Sequence, residues 1–99
     1  MQNAVYFVSF KLKKGASESE FLIAAEKLNN EYMSKQKGFI SWKQVVDGDT
    51  WADILTFETM EDAKNVAEST APNEFAENFY SFINLNSCKC HLFSVERSY

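Results

Sequence analysis

Residues Gly38 to Ala63 read GFISWKQVVDGDTWADILTFETMEDA. Phe39 to Val46 and Thr50 to Phe57 are runs rich in β-branched and aromatic residues, with Asp47-Gly48 between them. Asp-Gly is a strong hairpin signal, because both central residues of the tight turn need positive φ. A two-residue loop would set Trp42 opposite Asp53 and Gln44 opposite Trp51, whereas a three-residue loop would set Lys43 opposite Asp53. Both registers stay open. After Phe57, Thr59 is placed to cap a helix reaching Ser69, with Asp62 in its first turn, where negative charge helps.

Strand and helix patterns flank this stretch on both sides. Ala4 to Leu12 alternates and is rich in Val, Phe and Tyr, the pattern of a first strand. Ser17 and Glu20 have the spacing of a capping box, and Phe21, Ala24, Ala25, Leu28 and Tyr32 recur at helical spacing behind it. Beyond the central stretch, Pro72 suits the start of another helical turn, whose buried stripe is Phe75, Phe79, Phe82 and Ile83. Ser87 to Val95 is the final strand.

The order is βαββαβ. With right-handed crossovers it folds as an α+β, ferredoxin-like domain, with an antiparallel four-stranded sheet in the order 4-1-3-2 and helices on one face. The chain, residues 1–99, is a single domain. Tyr6, Val8, Phe10 and Leu12 make one apolar face of the first strand, and Val5 and Phe7 share the other with Ser9. A half-solvated sheet should be polar outside, and this one is so only in part.

Such a face covers roughly 300 Å² in projection. Burying about 600 Å² of apolar surface per dimer yields at most roughly 15 kcal/mol, against about 4–15 kcal/mol for association. A homodimer through the uncovered sheet face is therefore expected.

Composition narrows the partners. A net charge of −4 and a pI near 4.9 argue against nucleic acid. No apolar run approaches a membrane span and MQNAVYFVSF lacks the marks of a signal peptide, so a cytoplasmic protein is expected. Cys88 and Cys90 share one face of a strand and His91 takes the other, so the three cannot converge on a metal, and none is expected. Nine Phe, four Tyr and two Trp in 99 residues supply a large core, or the walls of a cavity for a flat or greasy ligand.

Gly38-Phe39-Ile40-Ser41, the strand Trp51 to Phe57 and Glu58-Thr59-Met60-Glu61-Asp62-Ala63 together carry a resemblance. The chain resembles the dimeric α/β-barrel superfamily, which includes antibiotic-biosynthesis-monooxygenase-like and stress-responsive barrel proteins. The resemblance implies two sheets packed as a barrel, with a ligand cleft between sheet and helices in each subunit. It also implies a choice among cofactor-free oxygenases, isomerases, haem-degrading enzymes and proteins with no known reaction. The haem-degrading branch depends on a helical histidine, and Pro72 to Leu85 contains none, so no cofactor is expected.

Asp53 stands out because a carboxylate in an apolar strand is costly to bury unless paired. As a functional group its burial would raise its pKa toward that of a general base. As a structural group it would accept the Trp42 Nε1–H or pair with Lys43. His91, the sole histidine, is a candidate proton shuttle, and an Asp53/Ser9/His91 polar stripe forms if all three share a face. Tyr6, Trp42, Trp51 and Phe79 are candidate pocket walls, and Tyr80, one position off the helical stripe, can offer its hydroxyl to a cleft. The expected function is binding of a small hydrophobic or amphipathic molecule (polyketide, quinone or fatty-acyl-like) by a homodimer. Two alternatives stand beside it: a cofactor-free monooxygenase or isomerase with Asp53 or His91 as base, and a ligand-free interaction module.

Overall fold

The alternating run at the N-terminus becomes strand β1, Ala4–Leu12, in the computed structural model, which describes residues 2–99. Helix α1, Glu18–Glu31, starts where the Ser17 hydroxyl accepts the Glu20 N–H at 3.3 Å, and it buries Phe21, Ala24, Ala25 and Leu28. A 3₁₀ turn, Met33–Lys35, and Gly38 at φ +77° lead into β2, Phe39–Asp47. Strand β3 is Thr50–Phe57 and helix α2 is Met60–Ala67, capped by the Thr59 hydroxyl on the Asp62 N–H at 3.1 Å. Helix α3, Glu74–Tyr80, and β4, Ile83–Ser94, complete the chain.

The sheet is antiparallel, in the order β2-β3-β1-β4, and the helices cover one face. This is the ferredoxin-like architecture expected from the order of elements. Among the described residues, no helix is long and apolar enough to cross a membrane.

Three local expectations need correction. Asp47 pairs with Thr50, so the hairpin turn is Gly48-Asp49 and Gln44 faces Asp53. Gly48 has φ +61° and, among the described residues, only glycines have positive φ, the pattern of a type II′ turn with Gly first rather than an Asp-Gly type I′ turn. Pro72 lies outside α3, which is capped by Asn73, whose Oδ1 accepts the N–H groups of Phe75 and Ala76 at 3.0 and 3.2 Å. Finally, β4 begins at Ile83 rather than Ser87. It uses Asn84 through Lys89 to cover what β1 covers from Lys11 to Ser9. The Ser87 hydroxyl holds this bulge by accepting the Lys11 N–H at 2.8 Å and donating to the Asn84 carbonyl at 2.6 Å. A helical stripe that runs without a break into an irregular strand gives no sequence signal for the boundary.

The core forms in two clusters. One gathers Phe10, Phe21, Leu28, Trp51, Phe79 and Ile83, and the other Ala4, Met33, Leu55, Phe57 and Ala63. Phe21 anchors the first, edge-on to Phe10 and Trp51 at 5.9 and 5.3 Å and tilted against Phe79 at 5.1 Å. Truncating so central a ring costs about 3–5 kcal/mol. Trp42 and Tyr32 touch both clusters, and the seam between them positions the site.

Candidate functional site

Asp53 occupies the middle of β3, paired with Val8 of β1 and Gln44 of β2. Residues 51, 53, 55 and 57 share a face by the strand's period of two, and Trp51, Leu55 and Phe57 are buried under the helices. Asp53 is carried into the interior with them and is only 5% exposed. Lys43 pairs with Ile54 on the opposite face, so the ion pair considered for Asp53 does not form. Its partner is the Gln44 side chain, whose Nε2 donates to Oδ1 at 3.1 Å. The Trp42 indole lies toward the same carboxylate and favours its ionised form. Its Nε1–H does not complete a hydrogen bond, however, and is buried without a partner among the described residues.

Burial outweighs both donors. Loss of water around the carboxylate pushes the Asp53 pKa up to about 6, against the pull of Trp42 and Gln44. The group is ionised at neutral pH yet close enough to its midpoint to exchange a proton, which is what a general base requires.

A cavity of about 40 Å³ opens beside it, at the seam of the two core clusters. Tyr6, Phe10, Trp42, Phe79, Tyr80 and Cys88 contribute to its walls, with Leu28, Met33 and Leu55 completing the apolar part. It is large enough for water or for the head of a ligand, whereas whole drug-sized ligands fill about 300 Å³ or more. Tyr80, at the end of α3, is 45% exposed and forms the rim. A larger, open groove of about 240 Å³ lies on the other side of Trp42, between α1 and β2, lined by Leu22, Ala25, Glu26, Asn29 and Gln44.

The weaker acids around the cavity, Tyr6, Tyr80 and Cys88, hold their protons. Burial and then the Asp53 charge raise the Tyr80 phenol. Burial, followed by the hydrogen bond to Cys90, raises Tyr6, whose hydroxyl donates to Cys90 Sγ at 3.8 Å. Burial, then Cys90 and Asp53, raises the Cys88 thiol.

Asp53, Tyr6, Trp42, Phe79 and Tyr80 therefore converge. Three other candidates do not. Trp51 packs in the core against Phe21 and does not line the cavity. Ser9 pairs with Ala52 and Lys89, and His91 with Phe7, on the face away from the helices. The Asp53/Ser9/His91 stripe fails because the register pairs even-numbered residues of β1 with odd-numbered residues of β3. His91 instead stacks on Phe93, ring centroids 5.2 Å apart. Cys88 of the cavity wall and Gln44, the hydrogen-bond partner of Asp53, are the residues that sequence reasoning missed. Gln44 becomes visible only once the turn is placed at Gly48-Asp49.

No family model matches the chain, and no curated protein matches it in sequence. Solved structures do match in shape. SnoaB, a cofactor-independent oxygenase from Streptomyces nogalater, superposes with a TM-score of 0.76 at 12% identity over 99% of this chain and 97% of its own. A proposed antibiotic biosynthesis monooxygenase from Bacillus cereus gives 0.63 at 16% identity, over 100% and 98%. The fold is that of the antibiotic-biosynthesis-monooxygenase-like proteins. A hydroxynitrile lyase from Passiflora edulis shares this monooxygenase-like fold too, with a TM-score of 0.68 at 18% identity over 99% and 97%. One fold thus hosts differently named activities, and function has to be argued from the site.

Proposed function

We propose that this chain is a homodimeric ligand-binding protein that takes a small hydrophobic or amphipathic molecule at the Asp53 cavity. The observation that carries this reading is a carboxylate 5% exposed, held by a single completed hydrogen bond, on the wall of an aromatic cavity. A purely structural carboxylate at such a position is normally fully paired, because an unsatisfied buried charge costs several kcal/mol. The unpaired Trp42 Nε1–H beside it supports the same reading, since a buried donor without an acceptor is itself costly. Tyr80 at the rim gives the ligand's apolar body a way past α3.

The dimer rests on the face opposite the helices. Val5, Phe7 and Ile54 lie there half-buried, Val45 and Phe93 are 46% and 49% exposed, and Phe7 and Phe93 meet edge-on at 6.4 Å. An apolar sheet face of this kind is covered in stable proteins, and a second copy of the chain brings a matching face.

A second reading is favoured by the pKa near 6 together with the likeness to SnoaB. Ionised Asp53 would take a proton from an acidic O–H or C–H of the ligand, the electron pair staying on the ligand as an enolate for attack on O₂ or for isomerisation. His91, on the far face, is not part of this reading. Comparison of the wild type with Asp53→Asn tests both, using 1-naphthol as a neutral probe, tryptophan quenching for affinity and an oxygen electrode for turnover. The binding reading expects both proteins to bind with similar affinity and neither to consume oxygen. Oxygen uptake lost in Asp53→Asn moves the conclusion to an enzyme. Absence of binding by either protein overturns the ligand site and leaves the interaction module.

A further inference from the structure

The ionisable side chains lining the cavity are Asp53, Tyr6, Tyr80 and Cys88, and all are acids. Among the described residues, no lysine, arginine or histidine lines it. Besides Asp53, the ionisable groups on its wall are Tyr6 of β1, Cys88 of β4 and Tyr80 of α3; the pKa of each is raised, so they stay neutral while Asp53 ionises. The cavity therefore carries one uncompensated negative charge at neutral pH. Around it stand rings at steep mutual angles, Trp42 on Phe79 at 5.6 Å and 79°, and Phe79 on Tyr80 at 5.5 Å and 70°.

We infer that the cavity selects a cationic head group, a primary or small alkylated ammonium on an apolar body, held by the Asp53 carboxylate and the rings of Trp42, Phe79 and Tyr80. This rests on the ligand-site reading and names the polar end of the ligand. A buried carboxylate recovers its lost hydration best from a cation in direct contact. Aromatic walls attract a cation through their negative faces. A cavity of about 40 Å³ admits an ammonium or methylammonium but not a ring, so the apolar body lies outward, over Tyr80. An anion would meet a carboxylate with no counter-charge, and a neutral alcohol would gain a hydrogen bond only. The net charge of −4 adds a long-range bias of the same sign.

The test is an NMR titration of the ¹⁵N-labelled protein with benzylamine, benzyl alcohol and phenylacetate, three probes of similar shape. The Trp42 indole Nε1–H, assigned through Trp42→Phe, reports from the cavity wall. Benzylamine is expected to bind about tenfold more tightly than benzyl alcohol, an advantage of about 1.4 kcal/mol, and phenylacetate not at all. In Asp53→Asn the amine should fall to the level of the alcohol, whose affinity stays as it was. If that variant does not fold, the wild type supplies the same information. Its amine affinity should drop below about pH 6, as Asp53 takes up its proton, while the alcohol's stays level. Alcohol binding without an amine preference overturns the cationic head group and leaves the ligand site standing. Phenylacetate binding as well as benzylamine also overturns it. Failure of all three probes to move the indole resonance overturns both.

Discussion

Asp53 combines a central position on a buried strand face with one completed side-chain hydrogen bond. That combination has a thermodynamic consequence that is easily measured. Its pKa is raised from 3.8 to about 6, so the native state holds the proton to higher pH than the unfolded chain does. The sign is therefore the reverse of that for a salt-bridged carboxylate. Stability is highest, as far as this group is concerned, below about pH 4, and falls as the pH rises to about 6 and beyond. A gap of this size corresponds to about 3 kcal/mol at its fullest. Asp53→Asn keeps an acceptor for Gln44 and removes the buried charge, so it is expected to stabilise the protein by about 1–3 kcal/mol at pH 8. The gain should vanish near pH 4, and urea unfolding at the two pH values checks it. A destabilised variant at pH 8 would mean that the charge is compensated in the native state. The unusual character of Asp53 was legible in the sequence, from a carboxylate set between Ala52 and Ile54 in an apolar run. Its partners were not, because they depend on which residues of β2 and β1 stand opposite.

At the scale of the element, two glycines separate backbone conformation from packing. Gly48, at φ +61°, has nothing within reach of an added Cβ, so Gly48→Ala should cost only the left-handed backbone, about 1–2 kcal/mol. Gly38, at φ +77°, would drive its Cβ into the carboxylate of Asp62, which is 5% exposed. Gly38→Ala is therefore expected to cost clearly more than Gly48→Ala. Combined with Asp62→Ala, which removes the carboxylate and leaves only the Cβ contact, it should recover most of the steric part, giving a coupling of about 1 kcal/mol or more in a double-mutant cycle. Equal costs at the two glycines, or additive effects of Gly38→Ala and Asp62→Ala, would contradict the close approach. The caps show a similar division. Ser17 and Thr59 announced their helices through side chains that can accept an N–H two or three residues on. Asn73 does the same for α3, so Asn73→Ala should cost about 1 kcal/mol. It went unnoticed beside Pro72, which is the more conspicuous residue but lies two positions before the first helical residue, Glu74.

For the whole molecule, the order of elements was enough to give topology, because a βαββαβ chain with right-handed crossovers has few other ways to cover its helices' apolar stripes. The alternation within β1 correctly separated Tyr6, Val8 and Phe10 from Val5, Phe7 and Ser9. It could not say how β3 and β4 line up against β1, and the bulge from Asn84 to Lys89 shifts parity along β4. Ser9 and His91 do share a face, and it is the pairing of Ser9 with Ala52, and of Val8 with Asp53, that sets Asp53 on the other one, which numbering alone concealed. The same geometry assigns Phe7 and Ile54 to the uncovered face, next to one another across β1 and β3. Phe7→Glu or Ile54→Lys is expected to turn the proposed dimer into a folded monomer in sedimentation experiments, since charge on a buried apolar interface is costly. Native mass spectrometry of the purified protein, at low and then high activation energy, tests for the proposed dimer with a ligand cavity in each subunit. The expected result is a dimer that sheds a small apolar molecule on activation, or takes up benzylamine when offered it. A monomer, or a dimer that carries nothing under either condition, would contradict the account.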